Sequence, residues 1–118
     1  MTNALRGMTE LRAGEEVYSL LLDINALCEL ESELDQSFDV ILGRYSAGSS
    51  VSLVRALVWA GLRHSHPCSI EEAGDIVTKA GVARAREAVE KALVSALPEE
   101  DSENPQKRGR TKKAAGAG

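Results

Sequence analysis

Aromatic side chains are scarce in this sequence. One Trp, two Tyr and one Phe make up 3% of its 118 residues. A core must therefore be assembled from Ala, Leu and Val, which points to a thinly packed, small helical protein. Cysteine is equally sparse: Cys28 and Cys68 are too few for the disulfide framework of a secreted domain. No apolar run approaches the roughly 18 residues of a membrane span, and the N-terminus lacks the apolar stretch of a signal peptide. A protein that stays in the cytoplasm of the cell that makes it, with no membrane partner, is the expectation. Missing too are the G-x-S-x-G, P-loop, H-E-x-x-H and G-x-G-x-x-G patterns. Carboxylates abound, but nothing pairs two of them in a cleft. The chain is not expected to be an enzyme, and no catalytic or cofactor-binding residue is assigned.

What the sequence does have is apolar periodicity. At 43% apolar, it has enough for the core of one domain. Val54, Leu57, Val58, Gly61 and Leu62 fall on one face of a 3.6-residue helix, and Leu53, Ala56 and Ala60 widen that face. Little of this helix is polar except Arg55 and Arg63, so it is read as the central helix, with Trp59 as a core residue and Ser50 as its cap. Before it, Thr9–Arg12 and Glu16–Leu22 read as a hairpin around Ala13-Gly14-Glu15, resting on the helices because an isolated hairpin is marginal in water. Asp23 or Asn25 caps a helix with Ile24, Leu27, Cys28, Leu30 and Leu34 inward. Glu29, Glu31, Glu33 and Asp35 form its solvated acidic face, and Cys28 is read as a buried thiol. Ser37 caps a short helix with Phe38, Ile41, Leu42 and Tyr45 inward, ending at a loop over residues 46–50.

Past the central helix, His64 to Cys68 form a loop, and Ser69-Ile70-Glu71-Glu72 reads as a capping box. That helix carries Ala73, Ile76, Val77 and Ala80 and stops at Gly81, taken as a left-handed C-terminal residue. A last helix with Val82, Ala85, Val89, Ala92, Leu93 and Ala96 inward ends near Pro98. The fold class is therefore mainly α. About five helices form a small bundle, with an N-terminal hairpin within residues 9–22, in a domain spanning residues 1–98. From Glu99 to Gly118 there is no apolar periodicity, and the segment is read as a disordered charged tail.

Charge divides along the same boundary. Residues 1–98 hold nine bases and fourteen acids, residues 99–106 add four acids, and residues 107–118 hold five bases and no acid. An acidic body does not suit a duplex-binding surface, so no nucleic-acid partner is expected. His64, His66 and Cys68 alternate in one loop and are the one cluster of candidate metal ligands. They are too few for a zinc site and no other His completes them, so no metal is expected. A helix-turn-helix regulator is an alternative reading, from the capped helix, Gly81 turn and second helix. Against it stand Val77 where a small Ala is usual, and Glu87 and Glu90 beside Arg84 and Arg86.

Three stretches carry a family resemblance: Leu20-Leu21-Leu22-Asp23-Ile24-Asn25-Ala26-Leu27-Cys28-Glu29-Leu30-Glu31, then Leu57–Arg63, then Ser69-Ile70-Glu71-Glu72-Ala73-Gly74. In order and spacing they resemble the small tail proteins of gene transfer agents and related siphophages. That family is described as tail assembly chaperones and in part as tail tube proteins. The resemblance covers roughly residues 9–97. It implies a non-enzymatic role in tail morphogenesis in the cytoplasm of a bacterial host cell, with the tape-measure protein and the tail-tube protein as partners and self-association possible. It names no partner-binding residue. A structural minor tail or tail tube component is the alternative within the same class.

Overall fold

The computed structural model describes residues 7–48 and 50–97. Two strands and five helices follow in order: β1 Thr9–Ala13, β2 Glu16–Leu20, α1 Ile24–Leu34, α2 Phe38–Gly48, α3 Val51–Leu62, α4 Ile70–Ala80 and α5 Val82–Ala96. The mainly α class, the five helices and the N-terminal hairpin agree with the sequence reading. The charged tail at 99–118 lies outside the described residues.

β1 and β2 pair antiparallel, from Thr9 opposite Leu20 to Ala13 opposite Glu16. Ala13 thus belongs to the strand and the loop shortens to Gly14-Glu15, with Gly14 at φ +65°. Leu11, Ala13 and Leu20 point inward and are fully buried, whereas Val17 on the outer face stays open. The second strand is therefore not covered on both sides. Leu21 and Leu22 lie beyond its end and are buried. The hairpin packs on α3, α4 and α5, as its marginal independent stability requires.

Of the two candidate caps for α1, Asp23 is the one used: its carboxylate accepts from Ala26 N at 2.9 Å. Its phase differs from the sequence reading. Ala26 and Leu30 are the buried positions, whereas Ile24 is 74% exposed and Cys28 is exposed. At about 100° per residue, Cys28 lies some 200° round from Ala26 and so faces away from the core. The helix closes through Asp35 in the left-handed conformation (φ 54°, ψ 44°). α2 runs further than expected, through Ser46 and Ala47 to Gly48, whose positive φ of 134° ends the helix.

α3 is the centre. Eight of its twelve residues are buried, and it packs on α1, α4, α5 and β2. Ser50 caps it, accepting from Leu53 N at 3.1 Å. Trp59, read as a core residue, is only half-buried. Its ring packs against the core while Nε1 donates to Cys68 O at 3.0 Å. The indole needs that partner because an unpaired N–H at such a site is costly. Near the end of α3, Gly61 lets β2 come close. A Cβ there would sit 3.2 Å from Leu20 Cβ, and Leu21 N donates to Gly61 O at 2.8 Å.

α4 opens with both halves of the expected capping box, each bond at 3.0 Å between Ser69 and Glu72. Gly81 has a positive φ as anticipated, but its ψ of 137° places it outside the left-handed helical region. It ends α4 and begins α5 in a single residue. Ala85, Ala88, Val89, Ala92 and Leu93 then bury the inner face of α5.

Candidate functional site

The loop at 64–68 serves the fold. Ser65 Oγ donates to Ser19 O at 2.7 Å, and His66 meets Tyr18 edge-on with ring centroids 5.0 Å apart. Cys68 supplies the carbonyl that holds Trp59. These contacts pin the hairpin and the α3 edge to the loop and leave His64 outside any cluster. Burial, with a smaller contribution from Glu72, raises the Cys68 thiol above its ordinary pKa, so it is less of a thiolate than a free cysteine. Among the described residues, no three His, Cys, Asp or Glu side chains gather as a metal site.

The α4–α5 junction offers no better fit to duplex reading. The helices join through Gly81 alone, where a helix-turn-helix uses about three to four turn residues. Val77 is buried in the core at the position where that motif favours a small side chain.

Glu31 shows what the periodicity missed. It sits on the acidic side of α1, yet its Oε2 accepts from Phe38 N at 2.7 Å and so caps the start of α2. Seven residues separate the partners, outside the local spacings from which caps are read.

Two surface features remain. The first is a groove of about 250 Å³ between the start of α1 and the end of α5, lined by Leu21, Leu22, Ile24, Leu27, Ala92 and Ala96 together with the polar Asp23 and Ser95. The second is the open edge of α3, where Val51, Arg55, Trp59 and Arg63 follow at four-residue intervals and so share one side. Val51 is 59% exposed and Arg63 is exposed. Trp59, Arg63, Pro67 and Cys68 line a pocket of about 80 Å³ on this edge, with Glu29 of α1 at its border. Arg55 lies over Gly74 of α4, where an added Cβ would fall 3.0 Å from its Cδ.

The fold thus defines a small helical protein whose distinctive features are open surfaces on a tightly packed centre. A family model described as "Phage tail tube protein, GTA-gp10" matches residues 6–99, which takes in every described residue, and the chain belongs to that family. No curated protein and no solved structure matches it. Among the described residues no helix is long and apolar enough to cross a membrane.

Proposed function

We propose that this tail-family protein is a non-enzymatic tail assembly chaperone that holds the tape-measure protein while tail-tube subunits assemble around it. The observation that carries this reading is the balance of elements. Helices of 11, 11, 12, 11 and 15 residues accompany a single hairpin of two five-residue strands. A tube ring is expected to rest on strand-rich subunits with long pairing edges. Here the hairpin presents only short strands and is occupied against α3, α4 and α5. A helical body with a partly apolar groove suits transient capture of another helix, the groove-binding mode of recognition.

The family's own description favours a second reading, a structural tube component. The two diverge in the finished particle. A chaperone keeps co-expressed tape-measure protein soluble and is retained with it on a column, yet is missing from purified tails by mass spectrometry. Stoichiometric presence in purified tails, with no effect on tape-measure solubility, would overturn the chaperone reading in favour of the structural one.

A further inference from the structure

The open edge of α3 departs from the charge of the body around it. The described residues hold fourteen acids and eight bases, yet α3 contains no acid, and its edge carries two arginines. Neither arginine has an ion-pair or hydrogen-bond partner among the described residues. Arg55 is the sharper case: its Nε is buried with no acceptor, a situation that buried donors in native proteins seldom tolerate. Gly74 leaves the space in which the stem of Arg55 lies, so the side chain is held along α4. Between the arginines lie the half-buried face of Trp59 and its small pocket, and Val51 continues the edge at the other end.

We propose that this edge docks an acidic amphipathic helix from a partner protein, with carboxylates on Arg55 and Arg63 and an apolar side chain between them against Trp59. The two arginines are eight residues apart on one helix side, about 12 Å along its axis. A partner helix lying alongside would present acids about two turns apart with an aliphatic residue midway, a spacing that an amphipathic helix supplies. Guanidinium–carboxylate pairing is strong and geometrically specific. A nucleic-acid strand suits the strip less, because the acidic body repels a polyphosphate. Glu29, which lines the same pocket as Arg63, weakens rather than creates the attraction. The proposal rests on the chaperone reading only for naming the tape-measure protein as the owner of that helix.

Trp59 is the only tryptophan and reports occupancy directly through its fluorescence. The probe is a synthetic helical peptide with two glutamates two turns apart and a leucine midway. Its counterpart has both glutamates replaced by glutamine, and a single-stranded oligonucleotide is titrated in parallel. The acidic peptide should give a saturable change that the glutamine form does not. Arg55→Met and Arg63→Met should each weaken binding about tenfold, as loss of one charge-assisted pair implies. Arg55→Lys should lie between wild type and Arg55→Met, and Glu29→Gln should tighten binding. Gly74→Ala displaces the arginine stem without removing its charge and should also weaken binding. Because Arg63 is exposed, its variant tests the strip without disturbing the core. Equal response to both peptides, indifference to the arginine variants, or tighter binding of the oligonucleotide would overturn the proposal. Tape-measure retention separates the two readings. If wild type retains it and the Arg63→Met protein retains it equally, the docking strip fails and the chaperone stands. If wild type does not retain it, the chaperone fails while peptide binding still decides the strip.

Discussion

α2 and α3 are neighbours of almost equal length, 11 and 12 residues, yet α2 buries one residue and α3 buries eight. Both have good apolar content, so composition alone does not explain the difference. α3 is enclosed by α1, α4, α5 and the hairpin, while α2 rests chiefly on α1. Its other anchors are few: Ile41 in the core, Phe38, Leu42 and Tyr45 half-buried, and the Tyr45 hydroxyl donating to Arg86 O at 3.2 Å. The same helical pattern can therefore make a keystone or an arm, depending on how many sides the rest of the chain covers.

The contrast is broken most strongly from its centre. Leu57→Ala should cost about 3–5 kcal/mol in denaturant unfolding, because α3 is held on several sides and cannot collapse into the cavity. Ile41→Ala removes a side chain equally hidden from solvent, but α2 can shift to fill the space. Its cost should lie near about 2 kcal/mol, the low end for such truncations. Equal costs would mean that α2 is as firmly enclosed as α3. Trp59→Ala should come out at about 1–3 kcal/mol, below the usual aromatic truncation, because part of the ring is already in water and one hydrogen bond is lost.

A smaller effect sharpens the arm. Glu31→Ala takes away the acceptor for Phe38 N and should cost about 1 kcal/mol. Amide exchange should then accelerate across α2 while α3 stays protected, as expected when a weakly held unit opens by itself. Uniform acceleration would show the two helices to be one cooperative unit.

The smallest effect is on pH. Burial first, then Glu90, raise the Tyr45 pKa above 10.0, with Arg86 opposing. The folded chain favours the neutral phenol, so this contribution is complete below about pH 10 and disappears as pH rises through the higher folded value. Tyr45→Phe should flatten that part of the stability–pH curve and leave neutral pH little changed. A Tyr45→Phe curve with the same alkaline slope would place the titrating group elsewhere.

Element boundaries were legible where local chemistry sets them. Asp23, Ser50 and the Ser69–Glu72 box all cap helices as read, because a cap needs only residues within one turn. What the sequence could not show was which sides of a helix acquire neighbours. Ile24 and Cys28 satisfy an apolar pattern on α1 but face outward, since only the Ala26–Leu30 side meets α3. Trp59 was placed in the core by the breadth of the apolar face of α3, whereas the packing leaves one edge of that face uncovered. Arg55 and Arg63 were visible only as two polar exceptions. Their lack of partners, and the space at Gly74, depend on α4 lying where it does.

The Leu21–Gly61 hydrogen bond sets an order of events on the ribosome. Its two residues are forty positions apart in the chain. At roughly 5–20 residues per second, the hairpin precedes the carbonyl it will bind by about 2–8 s of synthesis. During that interval its inner face, Leu11, Ala13 and Leu20, has no helix to cover it. The hairpin therefore closes late, docking only once the end of α3 has been made, and the nascent protein carries an uncovered apolar strand pair while those forty residues are added.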